Sequence, residues 1–202
     1  CVEAGAKTAL MEVDQVALDY LHAHGREPKA CFTSDEDAVF AASYEIDLST
    51  VAPIVAKPHF VDNVCPAKEA AGIHIDEAFL GSCNNGRIED LRVGAALIKG
   101  KKVHPLVRFL VVPASQAVYR QALDEGILQT FMEAGAIVMN PNCSVCWGSC
   151  QGVIGEGETL ISTGTRNFKG RAGHKDSFDY LASAATVTAS AIKGEIATAD
   201  MV

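Results

Sequence analysis

From residue 75 onward the sequence alternates short apolar runs with longer amphipathic stretches, and this alternation restricts the fold more than any other feature. The apolar runs predict strands over residues 75–80, 107–112 and 136–139. The amphipathic stretches predict helices over residues 88–99, 115–123, 127–134 and 183–194. Strands that alternate with helices pack as a mostly parallel sheet covered by helices. The sequence therefore predicts a layered α/β domain.

The segment before this domain has a different pattern. Residues 14–22 have helical apolar spacing, with Asp14 as a candidate N-cap and Gly25 as a stop. A second helix is predicted after Asp35, ending near Tyr44. Two prolines in residues 51–58 indicate an edge strand or an extended connection. We therefore expect a linker here and a boundary near Asp62, which divides the chain into residues 1–61 and residues 62–202.

Charge and cysteine content exclude several classes of protein. Lys and Arg number 17 against 25 Asp and Glu, a net charge of −8 that argues against sequence-independent nucleic-acid binding. No apolar run reaches the roughly 18 residues of a membrane-spanning helix, so we expect no membrane partner. Seven cysteines are an odd number in a chain of this size. This favours reduced thiols and a cytoplasmic location over a secreted disulfide framework.

Three of the cysteines follow predicted strands. Cys83 comes just after the first strand, and Cys143 and Cys146 form a C-x-x-C pair after the third. Ligands in open α/β sheets gather beyond the carboxyl ends of strands, so these thiols are expected near one another. Three cysteines can hold a cubane iron–sulfur cluster with one iron left open for substrate. With Cys150 as a fourth thiolate, a structural zinc site is the main alternative, and unrelated packing cysteines are the simplest one.

Two arginines lie five residues apart in a later glycine-containing loop. Arg166 and Arg171 belong to the run 161–171, which reads ISTGTRNFKGR. The planar guanidinium donates two parallel hydrogen bonds and is the preferred partner of a carboxylate. In isolation such a loop is more often a solvated surface loop with ordinary ion pairs. Beside a metal cluster, the two arginines would indicate a substrate that carries carboxylates.

Several of these motifs, in this order, resemble the large subunit of the aconitase and 3-isopropylmalate dehydratase superfamily. The matching segments are short and are spread in order along nearly the whole chain: Glu3-Ala4-Gly5-Ala6-Lys7, Asp47-Leu48-Ser49, Gly81-Ser82-Cys83, Asn85-Gly86-Arg87-Ile88-Glu89-Asp90-Leu91-Arg92, Pro113-Ala114-Ser115, Cys143-x-x-Cys146-x-Gly148, Arg166-Asn167-Phe168-x-Gly170-Arg171 and Leu181-Ala182-Ser183. The resemblance is strongest to the two-subunit dehydratases. It implies a three-layer α/β/α domain, preceded by part of a second, similar domain.

The resemblance also implies a site. Its cofactor would be a [4Fe–4S] cluster with one iron not bound by the protein, and Cys150 is not a ligand in this pattern but a packing residue. The implied cluster ligands are Cys83, Cys143 and Cys146, the implied substrate-binding residues are Arg166, Arg171, Asn85 and Asn167, and the implied catalytic residue is Glu3. The sequence departs from the usual motifs at positions around the cysteines and arginines: Asn84, Ser144, Val145, Trp147, Thr165 and Ala184.

The activity implied by the resemblance is a reversible hydro-lyase reaction on a hydroxy di- or tricarboxylic acid. The best match is a 3-isopropylmalate dehydratase, with homoaconitase and methylated-malate dehydratase as alternatives. The resemblance implies a small swivel-domain subunit that supplies the catalytic serine, so this chain alone is expected to be inactive. A cluster-free RNA-binding protein and a structural zinc module are the readings from other classes.

Overall fold

A computed structural model describes residues 5–202, and these residues divide into two compact units, 5–50 and 51–202. The sequence placed the division between residues 61 and 62. The difference arises because residues 51–61 contain a strand that pairs with the main sheet, although prolines lie on both sides of it. In the described part of the chain, no helix is long and apolar enough to cross a membrane.

The first unit has little regular structure. Its helix α1 (Gln15–Ala23) begins at Asp14, whose side chain accepts a hydrogen bond from the Ala17 amide at 2.8 Å, as predicted. The second predicted helix is wrong, since the segment after Asp35 is a turn followed by irregular chain. Val39 in that segment is 96% exposed. A short helix without an apolar face to bury is only marginally stable, which explains why spacing alone misled.

The second unit is built on a seven-stranded sheet. Its strands are β1 (Ile54–Ala56), β2 (Val64–Pro66), β3 (Glu77–Gly81), β4 (Arg108–Val112), β5 (Ile137–Val138), β6 (Thr159–Ser162) and β7 (Phe178–Leu181). They lie in the order β2-β1-β7-β6-β3-β4-β5. The five strands from β7 to β5 are parallel, and the β1–β2 hairpin adds two antiparallel strands at one edge. The predicted α/β class with a mostly parallel sheet is confirmed.

The short helix α2 (Ser82–Asn85) follows β3 directly, and the other helices of this unit pack on one face of the sheet. They are α3 (Ile88–Ile98), α4 (Gln116–Asp124), α5 (Ile127–Ala134) and α6 (Ala184–Lys193). Leu91, Phe131 and Val187 from the longer helices form one core with Leu80 and Phe109 of the sheet, and all five are fully buried. Alternate residues of β3 and β4 thus point into this core, as the period of two in a strand requires.

The opposite face of the sheet is covered by loops. Phe79, Leu110 and Val112 point to this side and form a smaller core with Val145 and Ile154. Both of these covering residues belong to the irregular chain between β5 and β6. Residues 51–202 therefore contain three layers, as expected, but the third layer is loop and 3-10 turn rather than helix. This covering segment carries Cys143 and Cys146, so packing in the smaller core helps to position these two cysteines.

Candidate functional site

The parallel strands bring the predicted site segments to one edge of the sheet. Strands β3, β4, β5 and β6 run in the same direction, so their carboxyl ends meet there. Cys83 follows β3, the C-x-x-C pair follows β5, and Arg166 follows β6. Three segments that are distant in sequence thus reach the edge at which open α/β sheets bind their ligands.

The segment after β3 holds Cys83 in the short helix α2, where the residue is exposed. Two hydrogen bonds tie this segment to the end of β6: the Gly81 amide donates to Thr163 Oγ1 at 2.9 Å, and Asn85 Nδ2 donates to the Thr163 carbonyl oxygen. A Cβ atom on Gly86 would overlap the carbonyl oxygen of Val112 at the end of β4. The Cys83 segment is therefore held by hydrogen bonds to the end of β6 on one side and by close backbone packing against the end of β4 on the other.

The C-x-x-C pair lies around a 3-10 turn, Ser144–Trp147. The Cys146 amide donates to the Cys143 carbonyl oxygen at 3.1 Å, which closes the turn. Val145, fully buried, anchors it in the smaller core, while Cys143 is exposed and Cys146 half-buried. Cys150 is also exposed, so its predicted packing role is wrong. The turn keeps Val145 inside and leaves the two predicted ligands toward the surface.

Arg171 lies beside this turn. Its Nη2 atom is 3.9 Å from Cys146 Sγ, and its guanidinium lies over the Phe168 ring at 5.4 Å from the centroid. Its Nε atom is buried and has no hydrogen-bond partner among the described residues. Gly148 is required here, because a Cβ atom would overlap the Arg171 carbonyl oxygen. The structure therefore brings one predicted carboxylate-binding arginine to one predicted cluster ligand.

Asn167 occupies a different position from the one its predicted role suggests. It is only 1% exposed, and its Nδ2 atom donates to the Lys57 carbonyl oxygen at 2.9 Å. Its Oδ1 atom is buried without a hydrogen-bond partner in the described part of the chain. The side chain thus ties the arginine loop to the turn between β1 and β2. Asn85, with its amide on the Thr163 carbonyl, likewise joins helix α2 to the segment after β6.

Asp179, which the sequence analysis missed, is buried on the loop-covered face of the sheet at 6% exposure. Ser162 Oγ donates to its Oδ1 at 3.1 Å. Burial raises the pKa of Asp179 to about 8, although the Ser162 hydrogen bond and the charge of Arg171 oppose the shift. The sequence offered no clear signal for it, because the strand Phe178–Leu181 that carries it was not predicted. Burial therefore favours the neutral carboxyl, while the positive charge of Arg171 acts against it.

Glu3 lies outside the described residues, and Arg166 is exposed at the edge of the sheet. Within residues 5–202, no three His, Cys, Asp or Glu side chains are grouped closely enough to hold one metal ion. A cubane iron–sulfur cluster does not require its cysteines to converge on a single metal ion, because each cysteine binds a different iron.

The chain belongs to the aconitase family. The profile of the Aconitase family (aconitate hydratase) matches residues 1–72 and 65–194. The 3-isopropylmalate dehydratase large subunit of Aquifex aeolicus (strain VF5) is 49% identical, over 100% of this chain and 48% of the relative. That of Hydrogenobaculum sp. (strain Y04AAS1) is 47% identical, over 97% of this chain and 46% of the relative.

A relative named for a different activity is equally similar. The probable methanogen homoaconitase large subunit of Methanothermobacter thermautotrophicus is 50% identical, over 96% of this chain and 46% of the relative. The chain thus spans about half the length of the curated relatives it matches. Overall identity does not separate the two activities.

The residues at the sheet edge fit an iron–sulfur cluster in their chemistry. The three predicted ligands are all free thiols, and two of them are exposed. Three thiolates and a cluster carry net negative charge, and the Arg171 guanidinium beside Cys146 is placed to balance part of it. The close backbone approach at Gly148 leaves the turn and the arginine loop in direct contact.

Proposed function

We propose that this chain is the cluster-binding part of the large subunit of a hydro-lyase that reversibly removes water from a hydroxy di- or tricarboxylic acid, as a 3-isopropylmalate dehydratase does. The observation that carries this proposal is the contact between Arg171 and Cys146 at the carboxyl edge of the sheet. It joins a carboxylate-binding group to a candidate metal ligand. Family membership and the activities for which the relatives are named support it.

The cofactor in this proposal is a [4Fe–4S] cluster held by Cys83, Cys143 and Cys146, with one iron free of protein ligands. When bound, the cluster supplies a Lewis acid that favours departure of the substrate hydroxyl. The protein contributes the placement of the three thiols. Cys83 is positioned from β3, and the other two are positioned by the turn that Val145 anchors.

The arginines bind the substrate carboxylates in this scheme. Arg171 is fixed between Cys146 and Phe168, so its guanidinium is held beside a candidate cluster ligand, where it can bind a carboxylate. Arg166, exposed at the same edge, binds a second carboxylate. Negative charge grows on a substrate carboxylate as the neighbouring carbon loses its proton, and both arginines stabilise it. Glu3 is proposed to orient the hydroxyl that leaves.

Asn85 and Asn167 were predicted to contact substrate, and the structure supports an indirect role. Each uses its side-chain amide on a backbone carbonyl of another loop. We propose that they hold these loops in register, which keeps the cysteines and arginines at fixed separations. A small subunit that supplies the proton-abstracting group, and a cytoplasmic location, complete the proposal. Chain 1–202 alone is then inactive.

A large subunit containing this chain, assembled anaerobically with its small subunit, tests the proposal. Iron and sulfide analysis should find a cluster, and adding 3-isopropylmalate should change its electron paramagnetic resonance spectrum after one-electron reduction. Arg171→Gln should raise KM by about 10- to 100-fold, since a charged hydrogen bond is worth about 1.5–3 kcal/mol. Arg120→Gln, on the exposed surface of α4, is the matched control. Zinc without iron or sulfide would refute the proposal in favour of a zinc module.

Homoaconitase is the second candidate, favoured by the 50% identical relative. Methylated-malate dehydratase is a further alternative for the same site. The assembled enzyme should be assayed with homoaconitate and with a methylated malate beside 3-isopropylmalate, and the highest kcat/KM identifies the substrate. A cluster-free chain that retained RNA in a filter-binding titration would instead favour the RNA-binding alternative.

A further inference from the structure

Ser144 has a backbone conformation that its residue type disfavours. It lies between the two cysteines of the C-x-x-C turn, with φ of +46°. That value belongs to the left-handed region, which costs an L-residue roughly 1–2 kcal/mol and which glycine adopts freely. Strain of this kind persists only where surrounding contacts fix it. The contacts of Ser144 must therefore hold the residue in this conformation.

Both the side chain and the amide of Ser144 make hydrogen bonds that hold this conformation. The residue is fully buried, and its Oγ donates to the Gln151 carbonyl oxygen at 2.8 Å. Its amide donates to Asn142 Oδ1 at 2.5 Å, and its Oγ lies 3.9 Å from Met139 Sδ. The hydroxyl thus closes the loop of residues 144–151 across its base. The amide ties the start of the turn to the residue before Cys143.

We propose that Ser144 is a positioning residue that fixes the two cysteines of the turn through its hydroxyl bond to Gln151. The strained φ turns the chain so that Val145 enters the smaller core while Cys143 is exposed and Cys146 faces Arg171. Glycine would adopt this backbone without strain, yet it could not close the loop. The serine therefore adopts a strained backbone conformation, and its hydroxyl bond fixes the turn. Its importance for the cluster rests on the proposed function, whereas its effect on the turn does not.

Hydrogen–deuterium exchange of the full chain without cluster tests the positioning role directly. Ser144→Ala keeps the strain and loses the hydroxyl bond, so amides of residues 144–151 should exchange about fivefold faster, the factor for one ordinary hydrogen bond. Ser144→Gly loses the same bond but relieves the strain, so its exchange should lie between wild type and Ser144→Ala. Ser149→Ala, at an exposed position of the same loop, is the matched control and should behave as wild type.

The reconstituted large subunit provides the second measurement. With a chelator present, the visible absorbance of the cluster should decay several-fold faster in Ser144→Ala than in wild type or Ser149→Ala. Equal exchange in wild type, Ser144→Ala and Ser149→Ala would overturn the positioning role. Altered exchange with unchanged cluster decay would overturn its link to the cluster. A wild-type subunit that binds no cluster would refute the proposed function, while the exchange result would still decide the role of Ser144.

Discussion

Replacing Asp179 with Asn should stabilise the fold, and the gain should grow with pH. Asp179 is almost fully buried, and its pKa is raised from 3.8 to about 8. The main cause of this shift is the loss of solvent around the carboxylate. An acid whose folded pKa is raised contributes most to stability below its unfolded pKa. That contribution is lost as pH rises from about 3.8 to about 8. Asparagine cannot ionise but can still accept the Ser162 hydrogen bond.

The magnitude follows from the shift. Each pKa unit corresponds to about 1.36 kcal/mol, and pH 7 lies about three units above the ordinary pKa of Asp179. Folding the wild-type chain at pH 7 therefore includes the free energy of binding a proton at this carboxyl, up to about 4 kcal/mol. Asp179→Asn removes this contribution. The difference in unfolding free energy should be near zero at pH 4 and should rise toward that limit at pH 7.

Urea unfolding followed by circular dichroism, under reducing anaerobic conditions between pH 4 and 8, measures this difference. Glu77, whose pKa burial raises to about 7, adds its own decline of stability between pH 4.5 and 7 in both proteins. Subtracting the two curves removes most of that contribution and leaves only the repulsion between the Glu77 and Asp179 carboxylates. Asp176→Asn is the control, because Asp176 is partly exposed and its pKa is lowered by Lys175. A difference between Asp179→Asn and wild type that did not change with pH would refute the raised pKa.

Three further substitutions test the packing of the second unit, each measured by thermal or urea unfolding. Gly86→Ala should destabilise by about 1–3 kcal/mol, because its Cβ would overlap the Val112 carbonyl oxygen, and wild-type stability would contradict the close approach. Ser115→Ala should cost about 1 kcal/mol through loss of the N-cap of α4, and a larger loss would indicate another role. Phe131→Ala should cost about 3–5 kcal/mol, whereas Met132→Ala, 64% exposed, should cost little; equal losses would refute the core assignment.

Local signals predicted much of the fold because they act over a few residues. Asp14, Ser115 and Ser183 were each predicted at the start of a helix, and each accepts the expected N-cap hydrogen bond. The helix over 127–134 was predicted at its observed bounds. Capping and apolar period depend on neighbouring residues, so they are readable without the tertiary structure.

Strands β6 and β7 were missed because their signals are weak and non-local. Each has four residues, and polar residues such as Ser162 and Asp179 interrupt the apolar pattern. These residues become strand only because neighbouring strands supply their hydrogen-bond partners. The helix predicted after Asp35 was wrong because a local signal was present without tertiary support: its apolar residues had no core to pack against.

The sequence by itself determined the family, the α/β class and the segments that carry the candidate ligands. Ordered motifs and strand ends are properties of the linear chain. Only the tertiary structure placed Arg171 beside Cys146, buried Asn167 and Asp179, and exposed Cys150. These outcomes depend on which loops meet at the end of a sheet and on how much solvent remains there. Burial and charge separation are set by residues distant in sequence, so spacing along the chain cannot specify them.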